Sequence, residues 1–151
     1  MGSSPSLTPP LSEPLLEAIV DLWSQAGPEH DVCVRGNSMW PLIRAGDRVR
    51  VMHGLSGLRW GDIVAYQRED RLIVHRLIRI VRREGELFFQ TQGDNASSRD
   101  PAVSAGRVLG RVVALRRAGS WLRLDTRLMR GIGWVLAALG LGRLALSRLL
   151  E

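Results

Sequence analysis

Between residues 31 and 125 the chain is built of short runs in which apolar and polar residues alternate. Turn sequences such as Gly46-Asp47 and Gly61-Asp62 separate these runs. A period of two is typical of strands buried on one face, and closely spaced turns favour antiparallel pairing. We therefore predict a mainly β, antiparallel domain over residues 31–125. Its strands are predicted at Val32–Arg35, Asp47–Met52, Asp62–Gln67, Leu72–Arg82, Glu86–Thr91 and Arg107–Arg116.

Different patterns flank this β region. Residues 1–11 are small, polar and rich in proline, which predicts a disordered tail. Residues 12–27 predict an N-terminal helix, because Ser12 is a suitable N-cap and apolar residues follow at helical spacing. Residues 126–151 predict a C-terminal helix that is amphipathic or apolar. The whole chain, at 151 residues, has the size of one domain.

The C-terminal helix contains an apolar segment whose role is open. Residues 131–142 are uncharged, and arginines stand on both sides of them. A helix of these twelve residues is about 18 Å long, whereas the hydrocarbon core of a membrane is roughly 30 Å thick. A helix extended to Leu150 would be long enough but would include Arg143. A position in the membrane interface, packing on the domain core and a true span are the alternatives, and the first is favoured. We therefore expect a membrane surface as a partner of residues 126–150. The expected localisation is peripheral or C-terminally anchored, on either side of the membrane, with a cytoplasmic location as the alternative.

Composition excludes several kinds of chemistry. All 21 basic residues are arginine, so Schiff-base chemistry, P-loop phosphate binding and Ser–Lys dyads are excluded. The single cysteine, Cys33, excludes an internal disulfide and a Cys-rich zinc site. His30 and His53 have no ligand-like spacing with His75, and we predict no metal and no cofactor. The net charge of +6 permits nucleic-acid binding, but the arginines are dispersed and aromatic residues make up only 5%, so no specific nucleic acid is predicted.

Three segments carry residues suited to nucleophilic catalysis. Ser38 lies in Gly36-Asn37-Ser38-Met39-Trp40-Pro41, where glycine and proline favour a sharp turn that exposes a hydroxyl. His75 shares the apolar face of a predicted strand. Asp94, in Gly93-Asp94-Asn95, and Asp100 could each present a carboxylate. Taken singly, each residue is better explained as a turn serine, a buried histidine or a solvated loop.

Taken together and in this order, the segments resemble the signal peptidase I superfamily. The resemblance covers roughly residues 32–116. It also includes Gly46-Asp47, Gly61-Asp62-Ile63-Val64, Val74-His75-Arg76 and Gly110-Arg111-Val112. It implies a signal-peptidase/LexA-like antiparallel β domain with flanking helices, and the activity of a serine endopeptidase. Because the chain lacks lysine, His75 at the position of the general base is similar to the archaeal and endoplasmic-reticulum subtype, which uses serine, histidine and aspartate.

The resemblance also implies residue roles. Ser38 would be the nucleophile and His75 the general base. Asp100 would be the acid of the triad, with Asp94 organising its loop; the alternative is that Asp94 is the acid. The substrate would be an exported or membrane-bound precursor, bound as an extended strand with small side chains at the first and third positions before the cut, and Met39 is a candidate to line its pocket. A non-catalytic peptide-binding relative and a basic nucleic-acid-binding β domain are the alternative functions.

Overall fold

A computed structural model describes residues 27–149 and, before them, Pro14, Ala18, Asp21, Leu22 and Gln25, with only the backbone described over residues 140–149. These five earlier residues are helical and exposed, and the rest of the predicted helix over residues 12–27 and the predicted tail over residues 1–11 lie outside the described residues. Within residues 27–149 the chain forms eight strands, one turn of 3₁₀ helix and a C-terminal helix. The strands are β1 (Glu29–Cys33), β2 (Arg48–His53), β3 (Ile63–Arg68), β4 (Arg71–Arg83), β5 (Glu86–Gln92), β6 (Val103–Ser104), β7 (Val108–Arg117) and β8 (Ser120–Arg123); the 3₁₀ turn is Ala105–Arg107 and the helix α1 is Arg127–Leu149.

All the strands belong to one antiparallel sheet, which confirms the predicted fold class. Along the sheet the order is β1-β2-β7-β3-β4-β5-β6, and β8 pairs with β7. β1 begins at Glu29, three residues before the predicted start. The sequence pattern predicted neither β6 nor β8, because β6 has only two residues and every residue of β8 is exposed.

β3 lies within the sheet and is buried on both faces. Ile63 and Ala65 belong to one apolar cluster, whereas Val64 and Tyr66 belong to a second. Successive side chains of a strand point to opposite faces, so a strand covered on both sides is apolar without alternation. The hydroxyl of Tyr66 is thereby carried into the second cluster, where a polar group needs a hydrogen-bond partner.

The pairing of β2 with β7 contains a close backbone approach. The register between the strands shifts between Arg50 and Val51. A Cβ atom at Gly110 of β7 would lie only 1.9 Å from the carbonyl oxygen of Met52. Glycine is required at Gly110 because any side chain would separate the two strands.

α1 begins directly after Thr126. The Thr126 hydroxyl accepts a hydrogen bond from the Met129 N–H at 3.3 Å, in the manner of an N-cap. The helix packs beside β4. Among the described residues, none of the helices combines the length and the apolar character that crossing a membrane requires.

Candidate active site

Ser38 lies in the loop between β1 and β2, which is anchored to the core on the side opposite the serine. Met39 and Ile43 are 1% and 0% exposed, and the Ile43 N–H donates a hydrogen bond to the Met39 carbonyl at 3.1 Å. The Asn37 side-chain oxygen accepts from the Ala45 N–H at 3.1 Å. These contacts fix the loop while the Ser38 side chain remains exposed.

The predicted role of Met39 as a substrate contact does not fit its position. The Met39 side chain belongs to the core cluster that includes Val49 and Leu115. Met39 anchors the loop that contains Ser38, because the turn directs its side chain away from the surface. Trp40, the next residue, is 51% exposed and is the neighbour available to a bound peptide.

Asp47, in the Gly46-Asp47 turn, stabilises the same loop. Its carboxylate accepts from the Arg44 N–H at 2.8 Å and from two N–H groups of Arg117, at 3.1 and 2.5 Å. Arg117 also donates to the Leu42 carbonyl at 2.9 Å. Burial raises the pKa of Asp47, but the bonds from Arg117 and Arg44 outweigh it and leave the pKa below its ordinary value. The sequence identified Gly46-Asp47 as a turn motif. It did not indicate that the Asp47 carboxylate organises the loop that contains Ser38.

The structure brings Ser38, His75 and Asp100 into one path of hydrogen bonds. His75 lies on β4 opposite Val64 of β3, and its Nε2 is 3.0 Å from Ser38 Oγ. Its Nδ1 is 2.5 Å from Asp100 Oδ2. Asp100 follows β5, the other neighbour of β4, and its N–H donates to the Thr91 carbonyl at 2.8 Å. The distances suit proton transfer between serine and histidine.

Two buried hydroxyl groups also donate hydrogen bonds to Asp100. Thr91 Oγ1 and the Tyr66 hydroxyl donate to Asp100 Oδ2 at 2.7 and 3.1 Å. Burial raises the pKa of Asp100, but the hydrogen bonds from His75, Thr91 and Tyr66 outweigh it and lower the pKa below its ordinary value. Burial also raises the pKa of Tyr66 to about 12. Asp100 is therefore an anion at neutral pH, and Tyr66 is a protonated donor.

Sequence reasoning missed both hydroxyl donors. A signal was present, since Tyr66 directly follows the apolar run Ile63–Ala65, and Thr91 alternates with Phe89 along the β5 pattern. Buried hydroxyl groups need partners, so such positions suggest a polar network. The identity of the partner depended on the pairing of β4 with both β3 and β5.

Asp94 is engaged elsewhere, in a buried ion pair. Its two carboxylate oxygens accept from Arg76 Nε and Nη2, both at 2.7 Å, and both side chains are 3% exposed. Arg76 Nη1 also donates to the Gly61 carbonyl at 2.7 Å. The geometry favours Asp100 over the alternative Asp94 as the carboxylate beside His75, and it gives Asp94 a part in holding its loop.

The Gly93-Asp94-Asn95 loop contacts the loop that contains Ser38 directly. The Asn95 N–H donates to the Ser38 carbonyl at 2.8 Å, and the Asn95 side chain donates to the Asn37 carbonyl at 3.3 Å. A Cβ at Gly93 would lie 2.6 Å from Ser38 O and 3.3 Å from His75 Nε2. Gly93 leaves no room for a side chain where the two loops meet.

The remaining histidines form a pair instead of standing alone as the sequence suggested. His30 Nδ1 lies 3.0 Å from His53 Nε2, across the β1–β2 pair. Over the described part of the chain, His, Cys, Asp and Glu side chains form no group of three or more that could hold a metal ion.

The sequence was also compared with known proteins and with models of protein families. Comparison with curated proteins gave no match. A family model described as Peptidase S24-like matches residues 13–113, about two thirds of the chain, and this range includes Ser38, His75, Asp94 and Asp100. The family includes signal peptidase I and LexA peptidases, and membership suggests serine peptidase activity in general. On this match, the chain belongs to the Peptidase S24-like family.

Proposed function

We propose that the protein is a serine endopeptidase with Ser38 as nucleophile, His75 as general base and Asp100 as the carboxylate that orients the histidine. The observation that carries this proposal is the continuous path from Ser38 Oγ to His75, at 3.0 Å, and from His75 to Asp100, at 2.5 Å. Family membership supports it, since Ser38 and its partners lie inside the matched range.

The proposed mechanism follows from the order in which the Ser38, His75 and Asp100 side chains contact one another. His75 Nε2 accepts the Ser38 proton as Oγ forms a bond to the substrate carbonyl carbon, and it returns that proton to the amine as the C–N bond breaks. Water then hydrolyses the acyl-enzyme with His75 again as base. Asp100 holds the tautomer with hydrogen on Nδ1 and stabilises the imidazolium, while Thr91 and Tyr66 fix the carboxylate. The backbone N–H of Ser38 is the candidate oxyanion donor.

We further propose that the protein acts as a signal peptidase of the archaeal and endoplasmic-reticulum subtype. A histidine base in a chain without lysine supports this choice. The substrate would be an exported or membrane-bound precursor with small side chains at the first and third positions before the cut. The exposed Trp40 would border the peptide beside Ser38.

The test is cleavage of a synthetic precursor peptide, with alanine at those two positions, by the full chain in detergent. We expect Ser38→Ala to reduce turnover by at least about 1,000-fold, because the nucleophile is removed. Ser56→Ala, at another exposed serine, is the matched control and should retain full activity. Comparison of Asp100→Asn with Asp94→Asn then distinguishes the roles of the two carboxylates. Only Asp100→Asn should lower the turnover rate about 10,000-fold.

The outcomes distinguish the levels of the proposal. Cleavage above background at equal rates by the wild type and Ser38→Ala would refute the serine mechanism. Cleavage of other peptides but not of the precursor would leave a serine peptidase and remove the signal-peptidase role. Binding of the precursor without cleavage would identify a peptide-binding relative instead.

A further inference from the structure

α1 is fixed to the β domain by small residues on its inner face. Ala137 is 2% exposed, and Gly133 lies against Arg76 and Gly61. A Cβ on Gly133 would lie 2.8 Å from Arg76 Nη1 and 2.9 Å from the Gly61 carbonyl oxygen. Trp134 packs edge-on against Trp60, with ring centroids 5.9 Å apart. These contacts set which side of the helix faces outward.

The outward side carries an apolar surface, which we call the α1 stripe. It consists of Leu128, Ile132, Val135 and Leu139, which are between 40% and 74% exposed. Their spacing of four, three and four residues places them on one side of the helix. Trp134, 58% exposed, borders them. Large apolar side chains aligned in this way mark an interaction surface and not a scatter of single exposed residues.

The charge of the helix indicates what covers this surface. Residues 127–149 include four arginines, at positions 127, 130, 143 and 148, and no Asp or Glu. A helix with an exposed apolar side bordered by tryptophan, with arginine as its only charged residue type, is typical of helices that lie in a membrane interface, where arginine meets anionic headgroups. A second copy of the chain, paired stripe to stripe, would bring arginines together without helical carboxylates to balance them.

We propose that the α1 stripe docks on an anionic lipid surface, with α1 lying in the plane of the interface. At 23 residues the helix is long enough to extend about 34 Å along such a surface. The inner face is already committed to Arg76 and Gly61, so docking leaves the packing of the helix on β4 in place. The family match ends at residue 113, so the surface lies outside the matched range and is independent of the proposed peptidase activity.

The test is co-sedimentation of the full chain with phosphatidylcholine vesicles that contain about 30 mol% phosphatidylglycerol, compared with phosphatidylcholine alone. We expect binding to the anionic vesicles, weakened by salt. The double variant Val135→Gln/Leu139→Gln should lower the partition coefficient about 100-fold, because two apolar side chains lose their burial. Leu122→Gln on β8, where the leucine is 49% exposed, is the matched control and should bind like the wild type.

Three results would overturn the proposal. The first is wild-type protein that stays in the supernatant with anionic vesicles. The second is equal binding by the double variant and the wild type. The third is a wild-type dimer that the double variant converts to a monomer in light scattering, which would assign the α1 stripe to contact between copies.

A measurement on the unaltered stripe covers the case in which the double variant fails to fold. Brominated phosphatidylcholine in the anionic vesicles should quench wild-type fluorescence, and Trp134→Phe should remove much of this quenching. Absence of quenching in the wild type would also overturn the proposal. Ser38→Ala should bind vesicles like the wild type, which separates lipid binding from the proposed catalysis.

Discussion

Gly93 provides a direct test of how the two active-site loops fit together. Carbon–oxygen contacts are about 3.3 Å or longer, whereas a Cβ at Gly93 would lie 2.6 Å from Ser38 O, so Gly93→Ala requires a separation of about 0.7 Å. The same atom would lie 3.3 Å from His75 Nε2, close to the nitrogen that accepts the serine proton. The substitution therefore moves Ser38 relative to His75.

The magnitude follows from the distance available for proton transfer. Ser38 Oγ lies 3.0 Å from His75 Nε2, and productive donor–acceptor distances run from about 2.6 to 3.2 Å. A displacement of about 1 Å can cost about 100-fold in rate, so we expect kcat/KM of Gly93→Ala to fall by about 10- to 100-fold. Overpacking should also lower the free energy of unfolding by about 1–3 kcal/mol.

The assay is kcat/KM on the precursor peptide, with thermal unfolding measured in parallel. Gly36→Ala is the matched control, because a Cβ two residues before Ser38 meets no atom within 4 Å. We expect its kcat/KM to stay within about twofold of wild type. Wild-type activity and stability in Gly93→Ala would refute the close approach of the loops, and equal losses in both variants would show only that these loops tolerate no added methyl group.

Substitutions at three further positions test contacts that support the site and the sheet. Thr91→Val removes a donor to Asp100 and should lower the free energy of unfolding at pH 7 by about 1.5–3 kcal/mol in urea titrations. Since the pKa of Asp100 is lowered by folding, its contribution to stability is present above about pH 4 and is lost as the pH falls through the folded pKa. The difference between Thr91→Val and the wild type should therefore shrink as the pH is lowered below about 4, and a constant difference would contradict this. Arg76→Met leaves Asp94 buried without its cation and should cost about 3–5 kcal/mol in thermal unfolding, with Arg76→Lys restoring only part because it lacks the bidentate geometry. Gly110→Ala places a Cβ 1.9 Å from a β2 carbonyl oxygen and should abolish soluble, folded protein, so a normal yield would disprove the close approach of the strands.

Much of the sheet could be predicted because most strands keep a readable pattern along the sequence. Alternation and turn residues located β2, β4, β5 and β7 to within a residue or two. β8 escaped because all four of its residues are exposed and no apolar face distinguishes it from a loop. β3 was also located to within one residue, but only the fold shows that its alternate residues serve two separate clusters.

The site was less accessible to sequence reasoning, because its residues come from distant segments. His75 is 37 residues from Ser38 and 25 from Asp100, and only resemblance to a family suggested that they meet. The direction of the Met39 side chain is set by a turn, which sequence adjacency to the nucleophile does not reveal. The donors Tyr66 and Thr91 depend on strand pairing, which no local pattern encodes.

Arg76 gives the molecule a thermodynamic connection between its C-terminal helix and its catalytic loop. Its guanidinium binds the Asp94 carboxylate, donates to the Gly61 carbonyl and lies against Gly133 of α1. A ligand that moved α1 relative to Arg76 would therefore change the free energy of the loop that contacts Ser38. Coupling of this kind is reciprocal, so a ligand that leaves α1 in place on Arg76, as proposed for lipid on the α1 stripe, would leave the affinity of the protein for a peptide unchanged.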